Sequence, residues 1–308
     1  MKKRGSISLI IMLVICSFLS LNSEGVSGGN PDGSSGESFT FAFLADIHLQ
    51  PELNAAEGFR RAVSVVNGLQ PDFVITGGDM IMDALEVPYS RADSLYRLYE
   101  DISARFDMPV YNTIGNHDVF GWYEQSGVGP SHPGFGKKLY EERLGRKFYS
   151  FDFGGWHFII LDSVDRGGDR GYIGRISSEQ LEWIGEDLSG IEMETPIVLS
   201  THIPLVTVLP QLREGPGVAI SSSEAVTNSR ELLGMFEDHN LKLVLQGHLH
   251  LIEEINVRGI TFITAGAVSG RWWRGARSGV EEGFALIEVA GESFAWKYVD
   301  IGWEAEEY

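Results

Sequence analysis

Apolar residues along this chain collect in short runs, and five of these runs stop at a small polar cluster. The runs are Phe41 to Ala45, Phe73 to Thr76, Val110 to Ile114, Ile197 to Thr201 and Leu241 to Gln246. They are strand-length, rich in β-branched and aromatic residues, and predict buried β-strands. The polar clusters that follow are Asp46-Ile47-His48, Gly78-Asp79, Gly115-Asn116-His117-Asp118, His202 and Gly247-His248-Leu249-His250. Between the strands, apolar positions recur every three or four residues. Ala55, Phe59, Ala62, Val63 and Val66 follow a capping Asn54; Leu95, Leu98, Tyr99, Ile102 and Phe106 follow Ser90. Two further segments follow Ser178 (Leu181, Trp183, Ile184, Leu188) and Ser229 (Leu232, Leu233, Met235, Phe236). These stripes predict amphipathic helices packed on a sheet, and strands alternating with helices give an α/β fold. In such folds ligands bind in the crevice outside the carboxyl ends of the strands, so one crevice can gather all five clusters.

The residue types indicate what that crevice holds. Asp46, Asp79, Asn116, His48, His202, His248 and His250 form a nitrogen and oxygen donor set without sulfur, suited to Mn, Fe, Zn or Co. Seven side chains exceed the needs of one ion. Two metals roughly 3.5 to 4 Å apart can share a carboxylate and clamp both oxygens of a phosphoryl displacement, so a paired site is the economical reading. A lone histidine is ordinarily a core or loop residue held by hydrogen bonds, which does not account for an ordered set.

With these motifs in this order (D-x-H, G-D, G-N-H-D, a single H and G-H-x-H), the chain resembles the calcineurin-like metallophosphoesterases from about Phe39 to at least Gly270. The segment Tyr149 to Asp162 is similar to the one that links the motifs in such proteins. The resemblance implies a sandwich of two mixed β-sheets flanked by α-helices. It also implies that Asp46, His48, Asp79 and His250 hold one metal while Asp79, Asn116, His202 and His248 hold the other, with a hydroxide bridging the metals as nucleophile. His117 is expected to act on the leaving group as general acid or to steady charge on the phosphoryl group. Asp118 is expected either to orient the His117 ring or to be a solvated turn carboxylate. The segment Gly78-Asp79-Met80-Ile81-Met82-Asp83 lacks the Arg-Gly of the protein phosphatases in this superfamily, which disfavours a phosphoprotein substrate. Ile203 stands where many small members carry a second histidine. The compact phosphodiesterase or phosphomonoesterase branch remains, including proteins similar to cyclic-nucleotide phosphodiesterases; the alternative is a non-catalytic binding protein on the same scaffold.

Composition narrows partners and place. The chain has 308 residues, one cysteine and a formal net charge of −19. Lys2-Lys3-Arg4 followed by the apolar stretch Leu9 to Leu21 has the form of a secretory signal peptide over residues 1–23, too short for an ordinary membrane span. Export to a periplasmic or extracellular location is expected. Cys16 is preceded by Ile15 and sits inside the apolar run, a context that disfavours lipid anchoring through it. Residues 24–38, rich in Gly and Ser, read as a leader to a phosphoesterase domain over 39–308. So acidic a surface makes a nucleic-acid polymer a poor partner, and a small phosphoester is expected instead, with positive charge supplied at the site by the metals.

Two segments are candidates for substrate contact. Trp122 lies in the insertion after His117, well placed to overhang the site. Arg271, Trp272, Trp273 and Arg274, with Arg277 close behind, follow the strand Thr261 to Ala265. They combine guanidinium groups that fork onto phosphate oxygens with aromatic faces that hold an organic group. The other reading of this loop is tryptophans locked on the sheet and arginines paired with acids.

Overall fold

The computed structural model describes residues 37–168 and 171–306. The expected signal peptide and nearly all of the leader lie outside the described residues. Five strands form one mixed sheet in the order β13-β12-β1-β2-β3. These are β1 (Ser38–Leu44), β2 (Phe73–Gly77), β3 (Val110–Thr113), β12 (Gly283–Ala290) and β13 (Ser293–Asp300). Strands β1, β2 and β3 are parallel, β12 runs antiparallel to β1, and β13 runs antiparallel to β12 at the edge. Six strands form a second mixed sheet in the order β10-β11-β9-β8-β5-β4. Its members are β4 (Tyr149–Phe153), β5 (Trp156–Ile160), β8 (Ile197–Ser200), β9 (Leu241–Gln246), β10 (Ile252–Val257) and β11 (Ile260–Ala265). A short ribbon joins β6 (Val164–Arg166) to β7 (Tyr172–Gly174).

The period-2 alternation of the strands builds two cores. Phe39, Phe41, Phe43 and Ala45 point between the sheets, where they meet Phe73, Ile75, Trp156, Phe158, Val198, Leu243 and Ile287. The intervening Ala42 and Leu44 point outward into the core shared with the helices. Helices α1 (Ala55–Leu69) and α2 (Tyr89–Ser103) stack Phe59 against Tyr99, ring centroids 5.9 Å apart. Helices α3 (Lys138–Leu144), α4 (Ser178–Leu188), α5 (Leu209–Glu214) and α6 (Ser229–Gly234) complete the chain. The strand runs read from sequence fall within one residue of the observed ends, apart from the start of β1, which extends back to Ser38.

The predicted caps fare differently. Asn54 precedes α1 in a left-handed conformation (φ 53°) and donates from its amide to Glu306 at 2.5 Å, so it does not cap the helix. Pro88 precedes α2, and Ser90 lies within its first turn. Ser177, one residue before the expected Ser178, caps α4 by accepting the Gln180 amide. Helix α6 is only six residues long, and Met235 and Phe236 lie beyond it. No described helix is long and apolar enough to cross a membrane.

Candidate metal centre

The carboxyl ends of β1, β2 and β3 in one sheet and of β8 and β9 in the other open on the same crevice. Thr113 and Ser200 tie the two sheets there through a 2.9 Å hydroxyl contact. The clusters then interlock through their backbones. The Asp46 amide bonds to the Gly78 carbonyl, the His48 amide to the Asp79 carbonyl, and the Gly247 amide to the His202 carbonyl. From the loop after β11, the Val268 and Ser269 amides bond to the Ala45 and Asp46 carbonyls. The glycines of the motifs mark closest approach: a Cβ on Gly115 would lie 2.2 Å from the Asp79 amide nitrogen, and one on Gly78 2.5 Å from His202 Nδ1.

Five of the gathered residues hold the left-handed backbone region: Asp46 (φ 56°), His48 (46°), Asp79 (53°), His248 (71°) and His250 (52°). Asp and His tolerate this region better than most residues, yet each instance costs about 1–3 kcal/mol and persists only where the surroundings enforce it. Such strain concentrates at ligand clamps.

Side-chain geometry centres on Asp79. Its Oδ1 accepts the His117 amide at 2.8 Å. Its Oδ2 lies 3.1 Å from His202 Nε2, 3.7 Å from His48 Nε2 and 4.0 Å from His117 Nε2. One oxygen thus faces imidazoles from both halves of the crevice. Asp46 divides its duties: Oδ2 accepts the His248 amide at 2.8 Å, and Oδ1 faces His250 Nε2 at 3.2 Å and His48 Nε2 at 3.8 Å. His48 and His250 present their Nε2 atoms to each other at 2.9 Å, and Asn116 Oδ1 lies 3.1 Å from His202 Nε2.

Three rings are oriented from behind by carbonyls. His202 Nδ1 bonds to Gly77 O at 2.7 Å, His250 Nδ1 to Gly270 O at 2.8 Å, and His248 Nε2 to Ser223 O at 2.9 Å. A carbonyl only accepts, so that nitrogen carries a proton, and with a cation bound the other ring nitrogen would offer it a lone pair, the arrangement of metal-ligating histidines. Without a cation, burial opposes a charge on His202, but Asp79 raises its pKa to about 9. Ser163 Oγ fixes the His202 backbone by accepting its amide and that of Ile203. Ile203 itself is fully buried in the core, so no second imidazole enters from that position.

The electrostatics fit cations. Burial lowers the pKa of His48 to about 4, and burial with the neighbouring His202 lowers that of His248 to about 3, which keeps both in the neutral ligand form. Burial works against a charge on Asp46, yet His250 holds its carboxyl well below the usual range; His202 does the same for Asp79. Asp46 Oδ1 and Asn116 Nδ2 are buried without a hydrogen-bond partner, an expensive state that bound cations would resolve for the carboxylate. Three close groups emerge: Asp46, His48 and His250; Asp79, His202 and His248; and His48, Asp79 and His117.

Several expected roles need correction. Asp118 does not orient His117 and is not a solvated turn residue. It is fully buried, and its two oxygens accept the amides of Gly115, Asp79, Met80 and Ile81, so it fastens the Asp79 and Asn116 loops together. The carboxylate facing the His117 ring is Asp83, 3.7 Å from Nδ1. Trp273 is not a substrate contact: it is fully buried, and its indole donates to the Ile47 carbonyl between two ligand positions at 2.9 Å. Gly58 of α1 makes room for it, since a Cβ there would lie 2.2 Å from the ring. Arg271 and Arg274 line a groove with Glu281, Glu282 and Glu304, and Trp122 packs near Lys137. Trp272 does adjoin the site, its ring 5.0 Å from that of His250.

Sequence reasoning missed the carbonyls of Gly77, Ser223 and Gly270, which carry no side-chain signal, and Tyr172, whose ring meets His248 edge-on at 6.0 Å. Asp83 could have been found four residues beyond Asp79, within the segment already singled out.

Residues 39–251 match the family model described as calcineurin-like phosphoesterase. Among curated relatives, the chain is 22% identical over 259 residues to a probable cyclic nucleotide phosphodiesterase of Xenorhabdus bovienii, covering 79% of this chain and 92% of that protein. It is 24% identical over 280 residues to a probable cyclic nucleotide phosphodiesterase of Rhodococcus erythropolis, covering 84% and 82%. Among solved structures, a dimetal phosphatase from Danio rerio shares the fold, with a TM-score of 0.61 at 16% identity over 85% of this chain and 96% of the other. The ordered motifs, their convergence at the strand ends and the match over most of the chain together show that this protein belongs to the calcineurin-like phosphoesterase family.

Proposed function

We propose that the chain is an exported, two-metal phosphodiesterase acting on small phosphodiesters, with cyclic nucleotides as the leading substrate class. One observation carries the two-metal reading: Asp79 Oδ2 faces imidazoles of both ligand groups, as a bridging carboxylate must. Asp46, His48, Asp79 and His250 would hold one cation; Asp79, Asn116, His202 and His248 would hold the other. Bound cations of the Mn, Fe, Zn or Co type supply Lewis acidity toward a phosphoryl oxygen and lower the pKa of water. The names of the two curated relatives support the diester, and the charged, apolar-flanked amino terminus supports export.

His117, like His248, remains partly open to solvent, its side chain 28% exposed. Its backbone is fixed by Asp79, and its ring lies between Asp79 and Asp83. Burial opposes a charge on this ring, but Asp79 and then Asp83 raise its pKa to about 9 in the metal-free chain; neighbouring cations would bring it back down. A protonated imidazole at this edge is placed to give its proton to the leaving oxygen.

Residues 28–308 loaded with Mn should hydrolyse an aryl phosphodiester faster than the matching monoester, and chelation should abolish both activities. Preference for the monoester would overturn the diester assignment, and hydrolysis of neither with Mn, Fe, Zn or Co would overturn the enzymatic reading.

A further inference from the structure

The loop after β11 carries three arginines in different surroundings. Arg271 and Arg274 are exposed on the glutamate-lined groove. Arg277 is partly buried and lies over the Trp272 ring, its guanidinium carbon 4.9 Å from the centroid. Trp272 packs 5.0 Å from the His250 ring and 6.1 Å from the His48 ring. A single indole therefore separates Arg277 from two candidate metal ligands.

The backbone holds this arrangement in place. Arg277 and Val280 exchange both backbone hydrogen bonds at 2.9 Å, and Ser278 (φ 53°) and Gly279 (φ 82°) between them have the positive φ of a type I′ turn. Next to Trp272, the buried Trp273 anchors the loop beneath the Asp46 to His48 segment.

Charge makes Arg277 unusual. The chain carries 43 acidic against 24 basic residues, yet Arg277 forms no ion pair among the described residues. Arg213, whose charge it senses, is paired with Glu224. A partly buried cation without an acid costs free energy, and burial does lower the Arg277 pKa, with the Asp46 charge the main influence against it. Asp46 is a site carboxylate, so Arg277 lies within the electrostatic reach of the metal centre. A guanidinium keeps five donors in a rigid fork, and an aromatic shelf fixes its plane without using them.

Building on the phosphoesterase reading above, we propose that Arg277 is the substrate clamp of this site: its guanidinium, seated over the Trp272 ring, donates to non-bridging oxygens of the bound phosphoryl anion. Trp272 then serves as the shelf for that clamp, since Arg277 already covers part of its ring.

The test uses inorganic phosphate as probe. Phosphate is titrated calorimetrically into Mn-loaded residues 28–308 and into Arg277→Gln, Arg277→Lys and Arg274→Gln, with Mn affinity measured in parallel. Arg277→Gln should weaken phosphate binding roughly tenfold or more, the scale of a lost charge-assisted fork. Arg277→Lys should recover part of the loss through its point charge, Arg274→Gln should match the parent, and Mn affinity should be the same in all four proteins. Phosphate affinity unchanged in Arg277→Gln would overturn the clamp, as would a parallel fall in Mn affinity or a larger loss in Arg274→Gln. A parent that binds Mn and phosphate while Arg277→Gln does so equally well removes the clamp alone; a parent that binds neither removes the phosphoesterase reading as well.

Discussion

Between the sheets, Phe41 stacks on Phe73 at 5.0 Å and Phe158 meets both edge-on. A few residues further along the same strands, Asp46, His48 and Asp79 are just as buried, yet they are ionised or polar and hold left-handed backbone. The first region satisfies local propensity, packing and polarity together. The second violates all three, leaving a carboxylate oxygen without a hydrogen bond and setting two imidazole nitrogens 2.9 Å apart. Proteins keep such violations where function requires them, and those at Asp46, His48, Asp79 and His250 all border the crevice.

Substitutions should therefore separate the two regions. The largest effect on activity without a cost in stability is expected from His117→Ala. Turnover of a diester with a poor leaving group should fall by about 10²–10⁴-fold, that of a good one much less, with the melting temperature unchanged. Equal slowing of both substrates would remove the general-acid role. Trp273→Ala joins the two regions, because the ring fills a core cavity while its indole fixes the Ile47 carbonyl. It should cost about 3–5 kcal/mol in denaturant unfolding and also weaken Mn binding. Loss of stability with full Mn affinity would show that the ring packs without positioning the ligands.

The smallest effect comes from His157, buried on β5 and bonded to Asp152 at 2.7 Å and Asp187 at 2.8 Å. Burial opposes its charge, but Asp187 and then Asp152 raise its pKa. A group whose folded pKa is raised contributes stability that is complete below its unfolded value, about 6.5 for His, and lost as pH rises through the folded value. The melting-temperature advantage of the parent over His157→Gln should thus be larger at about pH 5.5 than at about pH 9, with activity untouched. An advantage that grows with pH would contradict this ion-pair assignment.

How much of this was legible in the sequence follows the same division. Strand runs and helix stripes were readable because burial imposes periods of 2 and 3.6, and seven candidate ligands were readable because they fall in polar clusters that follow five of the strands. The Arg-Trp loop was not, since two adjacent tryptophans with similar φ (52° and 65°) go to opposite fates. Trp273 enters the space left by Gly58, a contact across more than two hundred residues that no local pattern encodes. Asp118 was misread for a related reason: three of its four partners are backbone amides of the Asp79 segment, groups present in every sequence and visible only when the loops meet. The Asn54 cap was misread because its side chain finds a partner in Glu306, more than two hundred residues away.

The central claim, that two cations share Asp79 at the meeting of the two sheets, is tested most directly by anomalous diffraction from crystals of the Mn-loaded protein. The account predicts two peaks flanking Asp79 Oδ2, one reached by Asp46, His48 and His250 and the other by Asn116, His202 and His248. A single peak, or two peaks without Asp79 between them, would contradict it.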